Sequence, residues 1–488
     1  MRTRSIVLSI INYMHTNTGI YPYDFHKFYY QGILQGSRTS CCVVIAVIFI
    51  IFVLFNITLF TFGDQHVVAK YNHLNLIINV VFTYMTPIAM FTDEITAMRN
   101  QKLLPKLFAR IDYVDEDLGQ LGITVNNKRV YRRIWLMIVL TFVCEFYMFF
   151  AMMWLIVDEF EWFNVLWIFT SIPTIYNSLD KIWFLGILLG LRDRFEAINT
   201  ALDDITEEIE KNNLQKRKGL VYEQSVGVGE LMLHTSLSVG SERISDIKLE
   251  RLVCNAFGEL VCERESNKSA AVIVSYENSS YNFAALQERF ISLCQLHDSI
   301  CRIAQQLNQL WAYPLLVLMA FGFVFITSLL YFAYCATWNQ SIPLIFSPAK
   351  NIYTSFIVIG YIAGKCVSLM FFSWQTTQAS RRAGICLHKC GVAADTNEVY
   401  EIVNHLSLKL LNHDINFSAC GFFKLDMGTL YAVCGAITSY LIILIQFNMA
   451  GEQVRISKEL AAANESTALT LAAENYTVMP LQTTMEVH

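Results

Sequence analysis

The sequence predicts an all-α, polytopic membrane protein with seven transmembrane helices, its N-terminus cytoplasmic and its C-terminus extracellular. Three observations carry that expectation. Hydrophobic residues make up 54% of the 488 positions and charged residues only 16%, against about 45–50% and about 25% in soluble domains, and the mean hydropathy is +0.40. Uncharged apolar runs of roughly 20 residues, enough to cross the ~30 Å hydrocarbon core as helices, recur along the chain. Lysine and arginine gather in alternate connections between those runs. A net charge of -5 gives no global pull toward nucleic acid.

Residues 1–40 read as a cytoplasmic N-terminus, with no short apolar stretch before a small-residue cleavage site, so insertion is expected to rely on the first span. Residues 41–190 hold four spans, at 41–62, 74–92, 134–157 and 163–187. Asp180 and Lys181 fall inside the fourth. Counted from Trp162, Asp180 lies ~27 Å along the axis, near the far interface, where charged side chains can reach headgroups. Two more spans, 311–334 and 352–374, occupy residues 311–374, and the seventh is 427–448.

Orientation follows from the basic residues. The N-terminal segment holds four, and the connections after spans two, four and six hold eight, thirteen and five. The other face holds Lys70, Lys350, Arg455 and Lys458. Leaving out the long loop, seventeen still stand against four. A rhodopsin-like receptor would face the other way, and its Asp-Arg-Tyr and Asn-Pro-x-x-Tyr motifs are absent from the third and seventh spans.

Residues 191–310 read as cytoplasmic helical extensions. Phe195, Ile198, Leu202, Ile205 and Ile209 recur three and four apart after span four. Leu286, Phe290, Leu293, Ile300, Ile303, Leu307 and Leu310 do the same before span five. Such stripes mark a face that must be buried, most simply in a shared bundle. Between them, about 212–282, glycine, serine, glutamate and lysine mix without period, which predicts a disordered linker. Residues 375–426 read as a cytoplasmic anchor region with an amphipathic helix over Asn397–Asn412, and 449–488 as a loose outer tail.

Enzyme signatures are missing: no phosphate-binding glycine loop, nucleophile elbow, His-Glu-x-x-His pair or potassium-filter sequence, and no cofactor is implied. Cys386-Leu387-His388-Lys389-Cys390 has the wrong spacing for a common zinc module. The intramembrane charges Glu145 and Lys365 are a better lead, because such charges are costly and often functional. Two readings stand: a polar cavity or cross-helix bond used in gating, or a structural pair, direct or through water.

Aromatics crowd the outer half, with Tyr147, Phe150 and Trp154 on one face of span three and Trp167, Tyr331, Tyr334, Trp338, Tyr353 and Phe356 at comparable depth. They suit the walls of a pocket for flat apolar ligands; interfacial belts and core packing are the alternatives. Asn339, Asn464 and Asn475 lie in glycosylation sequons expected outside, Asn267 and Asn278 in sequons expected inside.

The seventh span closes on Thr438-Ser439-Tyr440-Leu441-Ile442-Ile443-Leu444-Ile445-Gln446-Phe447. A glutamine in a bilayer must find a partner or water. Gly435, Ser439, Ile442 and Gln446 share one face, and Phe447 stands ~100° away around the helix, where it could swing in as an apolar plug. Copies of this helix around an axis would line a narrow path; a buried helix with Gln446 bonded to a neighbour is the alternative. This spacing resembles the Thr-Tyr, five-hydrophobic, Gln-Phe signature of insect gustatory receptors, with Ser439 where the family usually has threonine. Phe417-Ser418-Ala419-Cys420-Gly421-Phe422-Phe423 adds to it. The resemblance runs nearly the whole chain apart from about 212–282, and is strongest to members that detect bitter compounds such as caffeine.

That resemblance implies a tetrameric, non-selective channel for monovalent and divalent cations, opened directly by small-molecule bitter tastants. Other gustatory receptor subunits would be its partners, in homo- or heterotetramers. It implies a place in the plasma membrane of gustatory neurons, dendrite and axon. It puts Gln446 and Phe447 at the gate, with Ser439 and Ile442 along the pore. A chemoreceptor that signals through a cytoplasmic transducer is the alternative; a transporter would show internal repeats and broken helices.

Overall fold

The computed structural model describes residues 36–63, 73–125, 127–156, 168–237, 253–254, 260–261, 268–338, 351–393, 397–412 and 415–477, and these are almost wholly helical. The helices are α1 (Arg38–Gly63), α2 (His73–Asn100), α3 (Leu103–Gln120), α4 (Asn127–Ile156), α5 (Ile168–Leu237), α6 (Lys268–Thr337), α7 (Ile352–Ala393), α8 (Asn397–Asn412) and α9 (Met427–Thr477). Two short antiparallel pairs interrupt them: β1 (Val253–Cys254) with β2 (Leu260–Val261), and β3 (Ser418–Ala419) with β4 (Phe423–Lys424).

Among the described residues, five helical stretches are long and apolar enough to cross a membrane: Arg38–Thr58, Lys128–Ala151, Leu286–Thr337, Ile352–Ala393 and Met427–Lys458. They contain or overlap the expected spans one, three, five, six and seven. The second expected span lies within α2. The fourth overlaps the start of α5, its residues 163–167 falling outside the described set.

The two apolar stripes read on either side of the long loop pack into one core. Phe195, Ile198, Leu202 and Ile205 of α5 meet Phe290, Leu293, Ile300, Ile303 and Leu307 of α6, with Ala383, Leu387 and Cys390 of α7 and Val403 and Leu410 of α8 closing the bundle. α5 lies chiefly along α7, and α8 folds back onto α7.

Sequence reading missed α3, although Leu104, Leu107, Ile111, Val114 and Leu118 repeat three and four apart and are buried together. This helix stops at a glycine. Gly122 has φ +76, and the amide of Ile123 reaches back to the Leu118 carbonyl at 2.9 Å, the pattern of a left-handed helix cap.

Three expectations need correction. The stretch 212–282 is helical at both ends, since α5 runs to Leu237 and α6 starts at Lys268. Leu214, Gln215, Lys216 and Arg217 are good helix formers that carry α5 past its buried stripe. The outer tail is not loose over its described part: α9 continues to Thr477, through a segment rich in alanine, leucine and glutamate. Asp180 and Lys181 do not reach out to headgroups. Both are buried, because each finds a partner on a neighbouring helix.

Candidate functional site

Glu145 of α4 and Lys365 of α7 come together as a direct ion pair, Nζ to Oε1 2.9 Å. Two further groups complete the cluster. Lys365 also donates to Ser178 Oγ of α5 at 2.6 Å, and Ser178 donates to Glu145 at 3.2 Å. Tyr361, one turn before Lys365 on α7, donates its hydroxyl to the same Glu145 oxygen while its ring lies 3.9 Å from the lysine nitrogen. A cation, a phenol and a serine all converge on one oxygen of this buried carboxylate, and such pairing is what lets a charge persist in a low-dielectric interior.

A second cluster ties α2, α5 and α6 together nearer the bundle core. Lys181 Nζ lies 2.6 Å from Asp93 Oδ1 and 3.0 Å from Asp180 Oδ2. Asn177 donates to Asp93 at 2.8 Å, and the Trp311 indole donates to Asp180 at 3.1 Å. Sequence reading weighed Asp180 and Lys181 alone. The signal for the rest was legible: Asn177, Asp180 and Lys181 sit three and four apart on one face, and Asp93 directly follows the second span.

Pro314 lies inside α6. Having no N–H, proline leaves the carbonyl four residues earlier without its helical bond. That carbonyl, Leu310, accepts instead from Asn100 Nδ2 of α2 at 3.2 Å.

The final helix is set on the bundle by the short hairpin before it. Phe417 is buried edge-on against Phe184 at 6.5 Å, and the Ser418 amide donates to Asn308 Oδ1 at 3.0 Å. The turn places Cys420 at φ 51 and Gly421 at φ 77. Asp426 then caps α9, accepting from the Thr429 amide at 2.8 Å. Beyond this point, among the described residues, α9 touches the rest of the chain along one side. Tyr440 packs edge-on to Phe323 of α6, and Leu441 and Leu444 lean on the cluster around Phe325, Leu329 and Phe332.

The opposite side is open. No residue in the most apolar 18-residue window of α9 is buried. Ser439, Ile442, Gln446 and Phe447 are all exposed, Phe447 at 66%. The Ser439 hydroxyl is used locally, donating to the Gly435 carbonyl at 3.0 Å. Gln446 has no side-chain hydrogen bond among the described residues.

The aromatics expected to share a pocket are not gathered. Tyr147, Phe150, Trp154, Tyr353 and Phe356 stand on the outer surface, Trp154 at 87% exposure. Tyr331 is fully buried against Phe332, and Tyr334 is half-buried beside Trp338. Trp167 and Asn339 lie outside the described residues, and Asn464 and Asn475 fall on α9. Cys386 and Cys390 are buried while His388 is exposed, so that motif is split across two faces of α7.

The chain matches the model of a family described as 7tm Chemosensory receptor over residues 8–247 and 258–451. It is 42% identical over 465 residues to the gustatory receptor for bitter taste 66a of Drosophila melanogaster, an alignment covering 90% of this chain and 88% of that one. Gustatory receptor 68a of the same fly is 26% identical over 163 residues, 33% of this chain and 41% of its own. Among solved structures, the insect olfactory receptor OR5 from Machilis hrabei in complex with eugenol superposes with a TM-score of 0.56 at 10% identity, covering 90% of this chain and 97% of that one. At that identity the likeness is one of fold.

Proposed function

The chain belongs to the 7tm chemosensory receptor family, and from that premise we propose that this multi-pass membrane protein is one subunit of a cation channel opened by bitter tastants. Seven helices cross the plasma membrane of gustatory neurons, α2 and the start of α5 being the two beyond the five apolar stretches. The N-terminus and the bundle of α3, α5, α6, α7 and α8 lie in the cytoplasm, where the basic connections belong. Four copies, of this chain or mixed with other gustatory subunits, surround an axis lined by α9. Gln446 and Phe447 form the gate, with Ser439 and Ile442 on the path. The kinship to a receptor for bitter taste supports bitter compounds as ligands; caffeine is the first candidate because of the sequence resemblance described above.

The observation that carries this reading is Gln446. An amide on an apolar helix, exposed and without a partner among the described residues, cannot face lipid without losing its hydrogen bonds. Water in a pore, or the same residue on another copy, satisfies it. The open side of α9 leaves room for either.

The test is inside-out patch recording from cells expressing the chain, with caffeine in the pipette and no nucleotide in the bath. Ligand-evoked cation current that survives excision, and whose size or ion preference changes in Gln446→Ala, is the expected result. A current abolished by excision yet present in whole cells would replace the channel by a receptor coupled to a transducer.

A further inference from the structure

At the corner where α2 hands over to α3, against α6, the protein carries a cleft of about 640 Å³, within the size range of ligand pockets. Its polar wall is built from Arg99 of α2 and Lys106 and Arg110 of α3, with Asn100 between them. No carboxylate lines the cleft, and none among the described residues pairs with these three cations. Three positive charges lining one hollow, each without a counter-ion among the described residues, are electrostatically incomplete.

Toward the membrane spans the cleft also has apolar lining residues. Ile95 and Tyr313 line it and are both 59% exposed. Tyr313 stands at the start of the fifth span, on the membrane side of the basic wall. A ligand that filled the whole cleft would therefore carry a polyanionic head and a greasy body. We propose that this cleft binds a phosphoinositide lipid of the inner leaflet. Its phosphomonoesters sit against Arg99, Lys106 and Arg110 and its acyl chains leave past Ile95 and Tyr313. Arginine and lysine in such pockets between membrane helices match phosphorylated inositol headgroups.

The site touches a working part of the fold. Asn100 and Leu310 both line the cleft, and they are the two residues whose hydrogen bond replaces the one Pro314 removes from α6. A headgroup bound here holds α2 and α3 against the junction between the fifth span and the bundle. The assignment to the inner leaflet rests on the orientation proposed above.

The experiment uses the full chain purified into phosphatidylcholine nanodiscs, with binding read as a shift in thermal unfolding. Dioctanoyl phosphatidylinositol 4,5-bisphosphate is titrated beside inositol 1,4,5-trisphosphate and dioctanoyl phosphatidylcholine. Saturable stabilisation by the phosphoinositide is expected, with at least tenfold weaker binding of the free headgroup and none of phosphatidylcholine. In Arg99→Gln/Lys106→Gln/Arg110→Gln, affinity for the lipid should fall about 100-fold, on the order expected for three surface cations.

Gln309 is an exposed residue of the cleft wall, so Gln309→Glu, which brings in a carboxylate and keeps all three cations, should weaken binding without loss of folding. Unchanged lipid affinity in Gln309→Glu and in a folded triple variant would overturn the site. Headgroup binding as tight as the lipid's would overturn the lipid in favour of a soluble phosphate ligand. Nanodiscs expose both faces and no current is read, so these outcomes are independent of conduction and orientation. A glycan at Asn267 in cells would instead overturn the orientation and leave the cleft's affinity untouched.

Discussion

Glu145 and Lys365 are far apart in sequence, yet in the fold Lys365 and Tyr361 both donate to one oxygen of Glu145. Removing one partner of such a pair strands a charge, which costs about 3–5 kcal/mol, whereas removing both together can be nearly neutral. Glu145→Gln and Lys365→Met should therefore each lower the unfolding temperature in nanodiscs, and the double variant should recover most of the loss. A gating role adds a separate expectation, a shifted ligand dose–response in Glu145→Gln at unchanged surface expression. Additive losses in the double variant would mean that the pair does not couple. That the two charges matter was legible, because apolar spans advertise any ion they carry. Their partners were not: Ser178 and Tyr361 are ordinary residues of membrane helices until a fold sets them within hydrogen-bond reach of a carboxylate.

The hairpin of β3 and β4 sets the entry angle of α9, and its turn asks for left-handed backbone at two successive positions. Gly421 meets that at no steric cost; a Cβ there would touch nothing within 4 Å, so substitution is penalised through the backbone alone. Gly421→Ala should cost about 1–2 kcal/mol, read as a lower unfolding temperature. Gly421→Asn should cost less, since asparagine tolerates this conformation. An equal loss in both would point to lost space rather than strain. Helices followed readily from spacing: Asn397–Asn412 matches α8 end for end. The helix α3 is as plainly written, in the stripe Leu104, Leu107, Ile111, Val114 and Leu118, but that stripe sits in a connection between spans that is also dense in charge. The helical reach of α5 and α6 into 212–282 was not written as a stripe at all; it rests on local propensity and continuation from a packed element.

At the scale of the molecule, one side of the chain is finished and the other is not. The bundle of α3, α5, α6, α7 and α8 is closely filled, while α9 leaves most of its apolar surface uncovered. A single copy in a bilayer would set Gln446 against lipid. Native mass spectrometry of the protein released from nanodiscs should therefore find four chains together, and Gln446→Leu, which removes the polar demand, should keep that assembly while suppressing ligand-evoked current. Monomers carrying full current would refute the shared axis.

Pro314 stands at the head of a long lever. From that residue α6 runs down to Leu293 in the heart of the bundle, 21 residues away and so about 32 Å at 1.5 Å per residue. With that segment moving as one rod, a bend of only 5° at the proline would sweep Leu293 through about 3 Å, more than half a helical turn's rise. The single amide of Asn100 that spans the gap in the ladder is thus a latch on a long arm, and its release would be felt far from where it sits.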